Sequence, residues 1–271
     1  MLHVLVPTDF SNNSYNALFY ATKFLRDKEV TFHLVNVCGS SDTTDEERVK
    51  IASSEGLDAM EHRLVRDVGN NPHHFFDKVS LCSDMTKGVA DYAKEHDVDV
   101  MVIGNKAKEE LKHILFGTNA MQLVREVNNC PILIVPLEID FKIVDKIAFV
   151  SNFNQPISKP NVDALLFFRS IMDSSIVPMG IEEDKGTEEM DKNKSMLLES
   201  IEHYANKEVK LPIFKDKVNT IQEFVELWNI DMLAMVYYPH HFFLEFIGKG
   251  MIKELNTKLS VPFLILPGTA S

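Results

Sequence analysis

Four short stretches carry the residues best suited to chemistry: Pro7-Thr8-Asp9, Val37-Cys38-Gly39, Gly104-Asn105-Lys106-Ala107 and Gly117-Thr118-Asn119. Asp9 offers a carboxylate that can accept from an amino or hydroxyl group, such as an adenine amine or a ribose hydroxyl. Gly104 lacks a Cβ and so lets a ligand approach the backbone. Gly117-Thr118-Asn119 reads as a helix start, where free N–H groups and a hydroxyl suit an anion. The same residue types also serve as ordinary turn and capping residues, and Ser11 and Ser14 read as helix-start residues. No G-x-S-x-G and no Walker A pattern occurs, and no nucleophile stands beside an evident base, so no catalytic residue is assigned. Two His-His pairs, in Pro72-His73-His74-Phe75-Phe76 and Pro239-His240-His241-Phe242-Phe243, lack HExxH or Cys/His spacing. They read as polar loop residues beside aromatic anchors, and no metal is assigned.

The elements that position these residues alternate. Apolar runs at Val4–Val6, Val30–Val37, Lys78–Cys82, Val100–Ile103 and Ile132–Val135 are separated by segments with helical spacing, among them Tyr15, Leu18, Ala21 and Leu25. Continuous apolar runs predict strands covered on both faces, and strands alternating with helices predict a parallel, doubly wound sheet. Ligands of such sheets bind outside the carboxyl ends of the strands, where the four stretches fall.

The order is then repeated. Cys130–Pro136 matches Val261–Pro267, and Phe116-Gly117 matches Ile247-Gly248 at the same offset. Asp97–Ile103 resembles Trp228–Val236, and His3–Phe10 resembles Lys146–Phe153. Four matches in one order point to duplication. The expected fold class is α/β: two tandem doubly wound domains, residues 1–140 and 141–271, each with a five-stranded parallel sheet flanked by helices, Rossmann-like.

Composition narrows the function classes. The 271 residues are 45% hydrophobic and 25% charged, ordinary for a globular chain. No apolar run approaches the roughly 20 residues that cross a bilayer, and the start does not read as a signal peptide. Three cysteines, with no metal-type spacing, read as buried thiols in a reducing compartment, hence a cytoplasmic location. The net charge is −12, shared as −8 over residues 1–140 and −4 over 141–271. Neither half has a basic excess, so no nucleic-acid and no membrane partner is expected.

The segment Val102–Ala107, nine further residues, Gly117-Thr118 and then Cys130–Pro136 resembles the universal stress protein family, whose nucleotide signature is G-x2-G-x9-G-[S/T] followed by a C-P-apolar strand. The opening Val6–Ser11 resembles that family's first strand and turn. The resemblance implies an adenine nucleotide alpha hydrolase-like fold, a role in stress response, and ATP with magnesium in the first domain. It places Asp9, with Pro7 and Thr8, on adenine or ribose, Val37 and Ile103 on the base, and Gly104, Ala107, Gly117, Thr118 and Asn119 at phosphate and ribose. Ala107 stands where the signature has its second glycine, and Glu109 and Glu110 follow it. The second domain departs further: Asn152 replaces Asp9, and Lys249 replaces Thr118. The resemblance also implies a dimer, formed as an intrachain pseudo-dimer or a homodimer, and at most a weak ATPase. The alternative is a protein of the same fold that binds no nucleotide and serves as a dimerisation or protein-interaction module.

Overall fold

A computed structural model describes residues 1–38, 46–105, 118–137, 139–181, 187–205, 209–211, 223–238 and 261–268. They divide into two compact units, with the change falling between Phe141 and Lys142. The first unit contains β1 (Leu2–Thr8), α1 (Asn12–Phe24), β2 (Val30–Val37), α2 (Glu46–Val68), β3 (His74–Leu81), α3 (Met85–Glu95), β4 (Val100–Asn105), α4 (Thr118–Glu126) and β5 (Ile132–Pro136). Its strands pair in parallel in the order β3-β2-β1-β4-β5. Right-handed crossovers then send α1 and α2 to one face and α3 and α4 to the other. The second unit contains β6 (Lys146–Ser151), α5 (Lys159–Met172), β7 (Ser175–Ile181), α6 (Glu188–Ile201), β8 (Val209–Leu211), β9 (Met232–Tyr237) and β10 (Phe263–Pro267). Its strands are also parallel, in the order β10-β9-β6-β7-β8. The α/β class with parallel sheets is the one the alternation predicts.

The central strands are buried along their length because helices cover both faces. Val4, Leu5 and Val6 of β1, Phe32 and Leu34 of β2 and Met101 of β4 are buried, as are Ala17, Leu18 and Ala21 of α1. Burying one such side chain contributes about 1.5–3 kcal/mol relative to leaving it exposed. Helix starts follow capping chemistry. The Ser11 hydroxyl accepts from the Ser14 N–H at the head of α1, Asp84 accepts from Lys87 N–H at α3, and Ser158 accepts from Asn161 N–H at α5.

Backbone detail repeats between the units. Phe10 (φ 62°) and Phe153 (φ 59°) both hold the left-handed region, and each N–H donates to a hydroxyl two residues earlier, Thr8 Oγ1 at 3.0 Å and Ser151 Oγ at 2.9 Å. Asp97 (φ 46°) and Asn229 (φ 49°) turn the chain into β4 and β9. One residue pair further on, Asp99 Oδ2 accepts from His3 N–H and Asp231 Oδ2 from Lys146 N–H, each pinning the start of its unit's first strand. Left-handed φ is costly for a bulky aromatic, so its recurrence at Phe10 and Phe153 marks one turn design used twice.

Two expectations are corrected. The strand expected at Lys78–Cys82 begins four residues earlier, and His74, Phe75 and Phe76 lie in β3 and not in a loop. β3 lies at one end of its unit's strand order, and its residues are exposed or half-buried, so it gives no continuous apolar run. His74 packs edge-on to Phe32 with ring centroids 5.1 Å apart and reaches the Leu25 carbonyl at 3.2 Å. The second pair, His240-His241, lies outside the described residues. The cysteines are not all buried: Cys130 is, Cys38 is half-buried, and Cys82 is exposed, again because it follows the edge strand.

A histidine cluster joins the amino end of β1 to the middle of β2. His33 is buried, its Nε2 2.9 Å from His3 Nδ1 and its Nδ1 2.9 Å from Tyr92 Oη. Asp77 lies 3.6 Å from His33, and the His96 ring lies 6.0 Å from it. No group of three metal-binding side chains is found among the described residues. Burial pushes His33 below its ordinary value of 6.5; Asp77 opposes this, and His3 and His96 reinforce it. Burial also lowers His74, against the Leu25 carbonyl. With both folded-state values below 6.5, the unfolded chain binds more protons in the window just beneath 6.5. The protein is therefore expected to lose stability as pH falls from 7.5 to 5. Urea midpoints at the two pH values test this, and a midpoint at pH 5 equal to or above that at pH 7.5 contradicts it.

Candidate functional site

The carboxyl ends of the strands in the first unit form one row. Thr8 pairs with Asn36 across β1 and β2, Gly104 pairs with Val135 across β4 and β5, and extending the Leu5–Met101 register sets Thr8 beside Gly104. Asp9 and the head of α1 stand directly above this row.

Asp9 is exposed and is held by three donors: Ser11 N–H at 3.1 Å, Ser11 Oγ at 2.5 Å and Ser14 Oγ at 3.0 Å. All three meet Oδ1, which leaves Oδ2 without a partner among the described residues. Partial burial works to raise its pKa, but the Ser11 and Ser14 hydrogen bonds outweigh that and set it below 3.8. The group is thus an ionised acceptor with one oxygen committed to the turn and one open.

Thr8 is buried and fully used. Its Oγ1 accepts from Phe10 N–H and lies 3.0 Å from Ser14 Oγ and 3.2 Å from Met60 Sδ, while its carbonyl accepts from Asn36 Nδ2 at 2.7 Å. Asn36 Oδ1 in turn accepts from Ser53 Oγ at 2.8 Å, and Ser53 lies 2.6 Å from Ser80 Oγ. This polar chain runs under α2 and fixes the ends of β1, β2 and β3. Thr8 therefore positions Asp9 and has no free polar group of its own to offer.

Pro7 and Val37 are half-buried at the ends of β1 and β2, and Ile103 is buried within β4. Gly104 has a packing reason to be glycine. A Cβ there would stand 2.4 Å from the Asn13 carbonyl oxygen and 2.7 Å from its Cγ and Nδ2, so α1 closes directly onto β4. Two buried oxygens, Asn13 Oδ1 and Asn105 Oδ1, have no hydrogen-bond partner among the described residues. A buried orphan acceptor is costly and calls for an explanation such as a missing donor. Thr118 and Asn119 open α4, though their side chains lie outside the described set. Ala107 and Gly117 lie outside the described residues altogether.

Sequence reading missed Asn13, Asn36 and Ser53. A lone Asn at the end of an apolar run signals only a turn, and the pairing of Asn36 with Thr8 appears only once the register is known.

In the second unit the equivalent row is altered. Asn152, buried, stands at the Asp9 position and accepts from Asn154 N–H at 3.2 Å. Val236 pairs with Leu266 as Gly104 pairs with Val135, so a buried valine fills the glycine position. Beyond it, Tyr238 Oη donates to the Pro156 carbonyl at 2.9 Å, tying the end of β9 to the loop before α5. Gly248 and Lys249 lie outside the described residues.

A model of the universal stress protein family matches residues 1–136. No curated protein matches the sequence. Among solved structures, a universal stress protein from Archaeoglobus fulgidus DSM 4304 aligns with a TM-score of 0.73 at 14% identity, covering 97% of each chain. A protein of unknown function from Pseudomonas aeruginosa PAO1 aligns with a TM-score of 0.54 at 9% identity, over 97% of this chain and 92% of that one. At these identities the likeness is one of fold. A universal stress protein solved in complex with cAMP matches 49% of this chain and 96% of its own, at 17% identity and a TM-score of 0.39.

Proposed function

This chain belongs to the universal stress protein family, and we propose that its first unit holds ATP with magnesium at the carboxyl ends of β1, β2 and β4. The observation that carries the reading is Asp9: its carboxylate is kept ionised by three donors on one oxygen, while the other oxygen is open beside the Gly104 row. An open carboxylate oxygen accepts from ribose hydroxyls or an adenine amine. Val37, half-buried one strand away, supplies an apolar surface for the base, with Pro7 and Ile103 framing it. The phosphates fall to the head of α4, where Thr118 and Asn119 begin a helix whose first N–H groups have no intrahelical partner. In the sequence Ala107 and Gly117 stand at the remaining signature positions, and magnesium enters with the phosphates.

The proposed role is holding the nucleotide as a signal in a stress response, with little or no turnover. Asp9, ionised well below neutral pH, is a poor base for activating water. The second unit carries Asn152 and Val236 in place of the carboxylate and the glycine, so it serves as a structural or partner-binding copy. Its place in an intrachain pseudo-dimer or a homodimer belongs to the same proposal.

Calorimetric titration of nucleotide-free protein with Mg-ATP tests the reading, beside an Asp9→Ala, Thr118→Ala double variant. One site per chain, lost in the variant, is the expected result. Absence of heat in the parent protein overturns it and favours a nucleotide-free interaction module, the reading that Ala107 in the second signature position supports.

A further inference from the structure

We propose that Cys38 and Cys82 form a reversible disulfide that joins β2 to β3 at their carboxyl ends. Val37 pairs with Leu81 in the parallel β2–β3 ladder, and the next residue of each strand is a cysteine. The Cys38 N–H donates to the Leu81 carbonyl at 2.9 Å, which carries the ladder up to the pair. The two Sγ atoms lie 2.9 Å apart. Neighbouring strands run about 4.8 Å apart, within the roughly 4.4–6.8 Å between Cα atoms that a disulfide spans. Bridging therefore needs side-chain rotation and no strand movement.

The two thiols are unequal. Cys82 is exposed and Cys38 is half-buried, with its Sγ 3.2 Å from the Leu81 carbonyl. Burial and the neighbouring Cys82 push the Cys38 thiol up, so Cys38 keeps its proton and can donate it to the Cys82 sulfur. Cys82 is accordingly the attacking thiol and Cys38 the resolving one. The oxidant is hydrogen peroxide. The Cys82 thiolate attacks one peroxide oxygen; the S–O bond forms, the O–O bond breaks, and hydroxide leaves. The Cys38 sulfur then attacks the Cys82 sulfur; the S–S bond forms, the S–O bond breaks, and hydroxide departs as water with the Cys38 proton. Two thiols lose two electrons, and one peroxide becomes two waters once the thiolate proton is counted. A monothiol such as glutathione reverses the step by exchange.

Hydrogen peroxide on the full chain tests this without any nucleotide, so its outcome stands apart from the nucleotide reading. The expected product is 2 Da lighter and yields a Cys38–Cys82 cross-linked peptide on non-reducing digestion. Cys82 alkylation falls at least tenfold and returns with dithiothreitol. Cys130, buried in the native fold, alkylates only after denaturation and reports that the fold is intact. In Cys38→Ser the reaction stops at Cys82 sulfenic acid, trapped by dimedone. Over-oxidation of Cys82 with Cys38 still free, or a bridge between two chains through Cys82, overturns the proposal.

Discussion

Replacing Phe32 by alanine is expected to destabilise the first unit by about 3–5 kcal/mol, the range for emptying a buried aromatic site. Phe32 sits on β2, the strand between β1 and the edge, with no exposed surface. It stacks on Phe76 at 5.6 Å and takes the His74 ring edge-on at 5.1 Å, so it joins β2 to the otherwise thinly covered β3. Its loss removes buried area and also leaves two aromatic partners facing a void that strands cannot collapse into. At about 2–4 °C per kcal/mol for a chain of this size class, the melting temperature of that unit falls by roughly 6–20 °C. Phe32→Leu keeps most of the volume and is expected to cost under about 1.5 kcal/mol. Thermal and urea unfolding followed by far-UV circular dichroism gives both numbers. A Phe32→Ala chain that melts with the parent protein would mean that β3 is not held through this ring.

How far the sequence could be read depends on what each residue answers to. The strands covered on both faces, β1, β2, β4 and β5, were legible because double burial demands an unbroken apolar run. β3 was misjudged at its start because none of its residues is buried, so no apolar run marks it, and Phe75-Phe76 follows two histidines that read as loop. The exposure of Cys82 follows from the same fact. The turn at Thr8-Asp9-Phe10-Ser11 was legible as a candidate by residue type, yet its hydrogen bonding was not. That Asp9 commits Oδ1 to Ser11 and Ser14, and that Thr8 is spent on Asn36, Ser14 and Phe10, are consequences of register and helix approach. Duplication was legible at the prolines and apolar strands. The structure extends it to left-handed Phe10 and Phe153 and to the paired roles of Asp99 and Asp231, where residue identity alone is weak evidence.

Gly104 separates two physical explanations that sequence cannot tell apart, and Gly104→Ala is expected to act through both stability and ligand affinity. The added methyl would lie 2.4 Å from the Asn13 carbonyl oxygen, a backbone atom that no rotamer change removes. The first turn of α1 must therefore move off β4, at about 1–3 kcal/mol for overpacking of this kind. That turn carries Ser11 and Ser14, the groups that hold Asp9, so the carboxylate shifts with it. Losing about 1.4 kcal/mol of its contact with a nucleotide corresponds to a tenfold weaker complex, and a loss of tenfold or more in Mg-ATP affinity is expected alongside the lower melting temperature. Asn13→Ala clears the Cγ and Nδ2 overlaps but leaves the carbonyl, so it is not expected to rescue the variant. In the second unit Val236 occupies the same row, and the residue two positions after the cap Ser158 is Pro160. Parent-like stability with lost affinity in Gly104→Ala would assign the glycine to ligand approach instead, and parent-like values of both would remove Gly104 from the site.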